Sequence, residues 1–228
     1  MSLINIFKQI FKKENNINNK PSTYEEELLN KYGYCNQFNK HITIYFIADT
    51  HNYLAYNDKM KEEIKEANEC DCCILLGDHS AGDLEAITSI ITIPIYGILG
   101  NHDHWHLFDS FNITDINGKV IEVKGVKIAG LAGSFKYKNS PSSCLYTHEE
   151  SINILDKLEP VDILVTHDKA YLEESTDTVH NGLKGITYYL YKNKTPLHIH
   201  GHIHEEKEYY LKNNTKVLSL YLNKKIKF

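Results

Sequence analysis

From residue 41 onward, short apolar, β-rich runs alternate with stretches of helical periodicity. The runs at 42–48 (ITIYFIA), 72–76 (CCILL), 94–99 (PIYGIL), 126–132 (VKIAGLA), 161–166 (VDILVT) and 196–200 (PLHIH) read as strands. Several are apolar enough to be covered on both faces. Helical patterns fill the gaps near 57–69, 83–91, 148–158 and 181–193. INGKV at 116–120 and KNNTK at 212–216 read as hairpin connections. This grammar predicts a layered α/β protein whose sheet is partly antiparallel. The first 40 residues differ. In MSLINIFKQIFKK, Leu3, Phe7, Ile10 and Phe11 fall at helical spacing, with Lys8, Lys12 and Lys13 around the other side. This predicts an amphipathic helix, packed on its own domain or frayed at the terminus or, as the second reading, making a weak membrane or protein contact through residues 3–13. ENNINNKPS reads as a linker, and Ser22 or Thr23 as the N-cap of a helix over YEEELLNKY. The expected organisation is an N-terminal extension over 1–40 and one domain over 41–228.

Composition narrows the function. Apolar residues make up 42 % and charged residues 24 % of the 228 positions, ordinary globular usage. No apolar run approaches bilayer length. A net charge of −5 gives no dedicated nucleic-acid surface. All 25 basic residues are lysine, so no guanidinium fork is available to grip an anion. Metal ions, histidines, lysines or backbone amides must take that role. The five cysteines, Cys35, Cys70, Cys72, Cys73 and Cys144, have no zinc-finger spacing and read as reduced thiols, which makes a cytoplasmic location the expectation. Cys72 and Cys73 are expected inside a buried strand.

The chemistry stands at the strand ends. The successive runs are followed by Asp49-Thr50-His51, Gly77-Asp78, Gly100-Asn101-His102-Asp103, Thr166-His167-Asp168 and Gly201-His202-Ile203-His204. In α/β sheets the crevice beyond the carboxyl ends of the strands is where ligands bind, so these five segments can converge. Residues two apart on an extended strand end can point to one side, as in Asp49/His51 and His202/His204. Glycines 77, 100 and 201 permit tight turns. Carboxylate, imidazole and amide donors without thiolate suit manganese, iron, zinc, cobalt or nickel.

This order of DxH, GD, GNHD, a lone His and GHxH resembles the calcineurin-like metallophosphoesterase superfamily, over roughly residues 41–222. The resemblance implies a mixed two-sheet β-sandwich flanked by helices and a binuclear centre of two divalent ions, manganese or iron favoured. It implies Asp49, His51 and His204 on one ion, Asn101, His167 and His202 on the other, and Asp78 bridging. Two dications about 3.5–4 Å apart can hold a bridging hydroxide that attacks phosphorus in a small phosphodiester or phosphomonoester, a nucleotide being one candidate. His102 is the expected proton donor to the leaving group, with Asp103 holding its imidazole. A non-catalytic binding scaffold of the same fold is the alternative, and the oligomeric state is left open.

The chain also departs from the pattern. Many relatives carry an acidic residue soon after GD, whereas here the run is GDHSAGD. His79 therefore either lines the pocket or faces solvent, the second being favoured. Asp168 is a partner for a ligand histidine or a surface carboxylate. In DTVHNGLKG, His180 is a candidate substrate-side residue, with capping or packing as the other reading. His104 and His106 are expected at a helix start and in solvent, and His41 and His148 carry no signal. His198 and His200 are expected to be packed, hydrogen-bonded strand histidines rather than ligands.

Overall fold

The computed structural model describes residues 22–173 and 179–228, and the stretch expected to form an amphipathic helix lies outside them. Each predicted strand forms, trimmed to its most apolar part: β1 (Thr43–Ala48), β2 (Cys72–Leu75), β3 (Ile95–Gly97), β6 (Val126–Leu131), β9 (Ile163–Thr166) and β10 (Leu197–His200). Between them lie β4 (Thr114–Asp115), β5 (Val120–Val123) and the short pair β7 (Ser134–Phe135) and β8 (Leu145–Tyr146). The chain closes with β11 (Lys207–Tyr210), β12 (Lys216–Ser219) and β13 (Leu222–Lys227). One sheet has the order β13-β1-β2-β3-β4 and the other β11-β12-β10-β9-β6-β5. Strands β1 to β4 pair in parallel, as do β6, β9, β10 and β12. Antiparallel β13, β11 and β5 lie at edges. The architecture is the mixed two-sheet α/β fold expected.

Strand β9 explains the layering. Ile163 and Val165 join Ile74, Ile98, Val126, Ile128 and Ile199 in an apolar cluster between the sheets. Leu164, on the opposite pleat, joins Val217 and the helix residues Ile152, Leu155, Ile186 and Leu190. The register pairs His198 with Leu164 and His200 with Thr166, so these histidines face the helical layer.

The helices are α1 (Tyr24–Tyr32), α2 (Asp58–Glu63, continued by a 3₁₀ stretch Ile64–Glu69), α3 (Ala81–Ile90), α4 (His148–Leu155) and α5 (Lys184–Lys192). Thr23, Ser80 and Thr147 each cap a helix with a reciprocal N3 carboxylate. Helix α1 buries Leu28 in the cluster beneath α5, and its Glu25 accepts hydrogen bonds from Tyr191 and the Lys212 backbone at 2.5 and 2.8 Å.

KNNTK joins β11 and β12 as the expected hairpin, but INGKV does not form one. It carries the chain from β4 in the first sheet to β5 in the second. Ile116 is fully buried, and the Asn117 side chain accepts the Ala132 N–H at 2.9 Å, tying the crossing to the end of β6. The true hairpin lies a few residues on, between β5 and β6, where Lys124 and Gly125 both take positive φ (50° and 77°).

Candidate metal centre

All five predicted blocks leave the carboxyl ends of parallel strands β1, β2, β3, β9 and β10 on one side of the molecule. Backbone bonds tie the loops together: Asp49 N–H to Gly77 O (3.0 Å), His51 N–H to Asp78 O (3.1 Å) and Gly201 N–H to His167 O (3.2 Å). The paired ligands reach one side by a different route from the extended one expected. Asp49, His51, Asp78, His202 and His204 all adopt the left-handed region, with φ of 52°, 42°, 58°, 68° and 54°. Each strand curls at once, because an extended continuation would carry the second residue away from the crevice. Gly100 and Gly201 are required by close approach: a Cβ on Gly100 would lie 2.0 Å from Asp78 Oδ1, and one on Gly201 2.6 Å from Asp49 Oδ2.

Two groups of donor atoms result, each mutually within 4.8 Å: Asp49, His51 and His204, and Asp78, His167 and His202. In the first, His51 Nε2 and His204 Nε2 are 3.1 Å apart, with Asp49 Oδ1 3.6 Å from His204 Nε2. In the second, Asn101 Oδ1 lies 2.9 Å from His167 Nε2. Asp78 Oδ2 stands between them, 3.6 Å from His51 Nε2 and 3.5 Å from His167 Nε2. Asp78 Oδ1 accepts the His102 N–H at 2.8 Å.

The second nitrogen of two histidines is already committed. His202 Nε2 faces the Val179 carbonyl at 3.2 Å. Burial, then the charge of His167, pushes this imidazole down to about 3, so it is neutral and its Nδ1 lone pair is free. His167 Nδ1 donates to Leu76 O at 2.7 Å, which leaves Nε2 toward Asp78 and Asn101. Burial disfavours the charged form of His167, but the Asp78 carboxylate outweighs it and raises the group to about 10. Burial likewise opposes ionisation of Asp78, and His167 reverses this, holding the carboxyl well below the usual range. The His204 imidazole is raised, chiefly by its hydrogen bond to Asp49. Nitrogen and oxygen donors, converging and oriented by their other atoms, fit divalent transition-metal ions.

His102 is exposed, with its ring edge-on to that of His51 at 5.5 Å. Asp103 is buried, and its hydrogen bonds go elsewhere than to that imidazole. Its Oδ2 accepts the N–H groups of Gly100 and Asp78 at 2.7 and 2.9 Å, and Oδ1 that of His79 at 3.1 Å. His79 does not face solvent: it is 4 % exposed, with Nδ1 2.7 Å from Thr50 Oγ1. Asp168, neither a surface group nor bonded to a ligand histidine, is fully buried and accepts the Phe135 and Lys169 N–H groups. His180 is half-buried, with its ring 4.9 Å from that of His202. His104 and His106 are exposed.

Three residues escaped the sequence reading. Asp83 accepts the Thr50 hydroxyl and the N–H groups of Asn52, Ala55 and Ser80 at 2.7 to 3.1 Å, locking the first histidine loop onto α3. Its letter is present as the last of GDHSAGD, five positions after Asp78, where the run reads as a departure from the pattern. Tyr221 stacks on His204 at 5.1 Å, and the Tyr137 hydroxyl sits 3.4 Å from Asn101 Nδ2. Neither carries a motif.

A two-sheet α/β frame with two imidazole-carboxylate clusters at its strand ends defines a candidate metal-binding protein. A model of the calcineurin-like phosphoesterase superfamily domain matches residues 42–223, and the chain belongs to that superfamily. No curated protein sequence matches it. Among solved structures it is similar to TT1561 of Thermus thermophilus (13 % identity, TM-score 0.58, covering 80 % of this chain and 90 % of that one). It is also similar to the phosphopantetheinyl hydrolase PptH of Mycobacterium tuberculosis (13 %, 0.57, 79 % and 89 %). A dimetal phosphatase from Danio rerio is similar too (10 %, 0.52, 79 % and 87 %). At these identities the likeness is one of fold. Among the described residues no helix is long and apolar enough to cross a membrane.

Proposed function

We propose that the protein is a metal-dependent hydrolase of small phosphoesters, a phosphodiester or a phosphomonoester, with nucleotides as candidate substrates. Asp49, His51 and His204 would hold one divalent ion, Asn101, His167 and His202 a second, and Asp78 would serve both. Manganese or iron is favoured, and the pair would supply Lewis-acid charge to the phosphoryl oxygens and lower the pKa of water. The observation that carries this reading is the place of Asp78, one carboxylate oxygen 3.5–3.6 Å from a histidine of each group. Without arginine in the chain, no guanidinium can clamp the phosphate, so its recognition falls to this centre and to histidines, lysines or neutral donors around it.

The exposed His102 ring beside His51 can deliver a proton to the departing oxygen. Its backbone is fixed by Asp78, so the imidazole stays at the mouth of the site. Asp103 acts through the backbone, setting the two loops that carry Asp78 and Asn101. His180 borders the second group and is the candidate substrate-side residue, whereas the buried His79 supports the loops from behind.

The test is hydrolysis of a chromogenic bis-aryl phosphodiester and the corresponding monoester with manganese added, against Asp78→Asn and His102→Ala. Metal-dependent turnover that falls at least about 100-fold in both variants is expected. No turnover above those variants on any phosphoester would leave the protein as a binding scaffold.

A further inference from the structure

Tyr137 stands beside Asn101 at the edge of the second donor group. Asn101 turns Oδ1 toward His167 and donates its Nδ2–H to the Tyr137 phenol oxygen at 3.4 Å. The phenol oxygen is thus an acceptor in this contact, and its own hydrogen has no acceptor among the described residues. The residue is half-buried and lies between exposed Lys136 and Lys138, with Lys138 Nζ 5.1 Å from the Tyr137 ring centre.

The segment is built to hold this position. Asp168 accepts the N–H of Phe135 at 3.0 Å, and the Lys136 N–H donates to Tyr146 O at 2.9 Å. His104 bridges Ser143, and Trp105 packs edge-on against Tyr146 at 5.8 Å. The β7-β8 pair therefore supports both the His102 loop and the Tyr137 loop. Asp168, which follows β9, is otherwise a buried ionisable group with no part in the site.

We infer that Tyr137 is a substrate contact whose hydroxyl donates to a non-bridging phosphoryl oxygen on the Asn101 side, with Lys138, whose ammonium lies over its ring, adding positive charge. This rests on the phosphoesterase reading above and deepens it. It supplies, from a phenol and a lysine, the anion recognition that a chain without arginine must find elsewhere. The class of substrate favoured is one that presents a dianionic phosphate, a monoester rather than a diester.

The experiment compares the full-length manganese-loaded protein with Tyr137→Phe. Binding of inorganic phosphate is measured by titration calorimetry, and bound metal by elemental analysis. A hydrogen bond to a charged acceptor sets the scale: phosphate affinity should fall about 10- to 100-fold at unchanged metal content. KM for an aryl phosphomonoester should rise by a similar factor, with the diester affected less. Phosphate affinity within about twofold of wild type would overturn the inference, as would metal loss in the variant, which would make Tyr137 a buttress of Asn101. A wild type that binds no phosphate overturns it too. A wild type that binds phosphate and loses that binding in the variant, yet hydrolyses nothing, sinks the enzyme reading and leaves the contact standing.

Discussion

Replacing Asp103 by asparagine separates two roles for this carboxylate, an orienter of the His102 imidazole and a clamp on the backbone. The carboxylate accepts three N–H groups, from Gly100 and Asp78 on Oδ2 and from His79 on Oδ1. Asparagine keeps one oxygen for the first two and sets an NH₂ against the third. Two charge-assisted bonds become neutral ones, at a loss of about 1 kcal/mol each, and one buried donor is left facing another, at about 1–3 kcal/mol. Burial raises the carboxyl above its usual pKa, so the neutral amide recovers part of the desolvation cost. The balance is a destabilisation of about 2–4 kcal/mol. Urea unfolding of the metal-free protein near neutral pH reads it as a lower midpoint at unchanged slope, and the refolded variant should hold less metal. A variant with the wild-type midpoint and full metal content, but with kcat lowered about 10-fold or more, would refute the clamp and return Asp103 to His102.

Metal uptake should expel a proton, because both nitrogens of His167 face acceptors and its pKa is raised to about 10 in the metal-free protein. Calorimetry of manganese binding in two buffers of different ionisation heat should show about one proton released from this site, and a buffer-independent heat would contradict it. His148 should make stability fall in acid. Burial, then Lys184, pulls it to about 4 from 6.5, its Nδ1 accepts the Lys184 N–H, and it begins α4 as well, so a charge there opposes two helix N-termini. The folded pKa is the lower one, so the contribution is complete above about 6.5 and is lost as pH falls toward 4. Discounted for partial exposure it is about 1–2 kcal/mol, and His148→Asn should flatten the urea midpoint over that window. Gly100→Ala should abolish metal binding and most of the folded yield, whereas Gly125→Ala, with nothing within 4 Å, should cost only about 1 kcal/mol for its positive φ. His198→Ala and His200→Ala should lower stability by about 2 kcal/mol or more while leaving metal content intact, unlike His202→Ala or His204→Ala.

The strands and the candidate ligand blocks were readable because each is local: an apolar run, then a carboxylate or imidazole where the run stops. What followed was not local. INGKV has the letters of a hairpin, yet the crossing between sheets is decided by the burial of Ile116 and by Asn117 reaching the end of β6. The left-handed turn at His51 and at His204 is imposed by neighbouring loops on residues whose own preference is otherwise. Asp168 reads as a companion to a ligand histidine or as a surface carboxylate, but the strand direction buries it and sends its carboxylate to β7. Tyr137 is one of 16 tyrosines, and only its distance to Asn101 distinguishes it.

The left-handed backbone at the candidate ligands bears on how the protein can change. His51 and His204 are 38 % and 46 % exposed, and each holds a conformation that costs an L-residue about 1 kcal/mol and glycine almost nothing. A glycine at either position would relieve that strain but give up the His51–His204 ring contact, and at 204 also the hydrogen bond to Asp49 and the stack on Tyr221. Which residue a heat-selected library keeps there would therefore report whether the site is loaded, because ions that bind the native form alone would favour the sequences that retain both imidazoles.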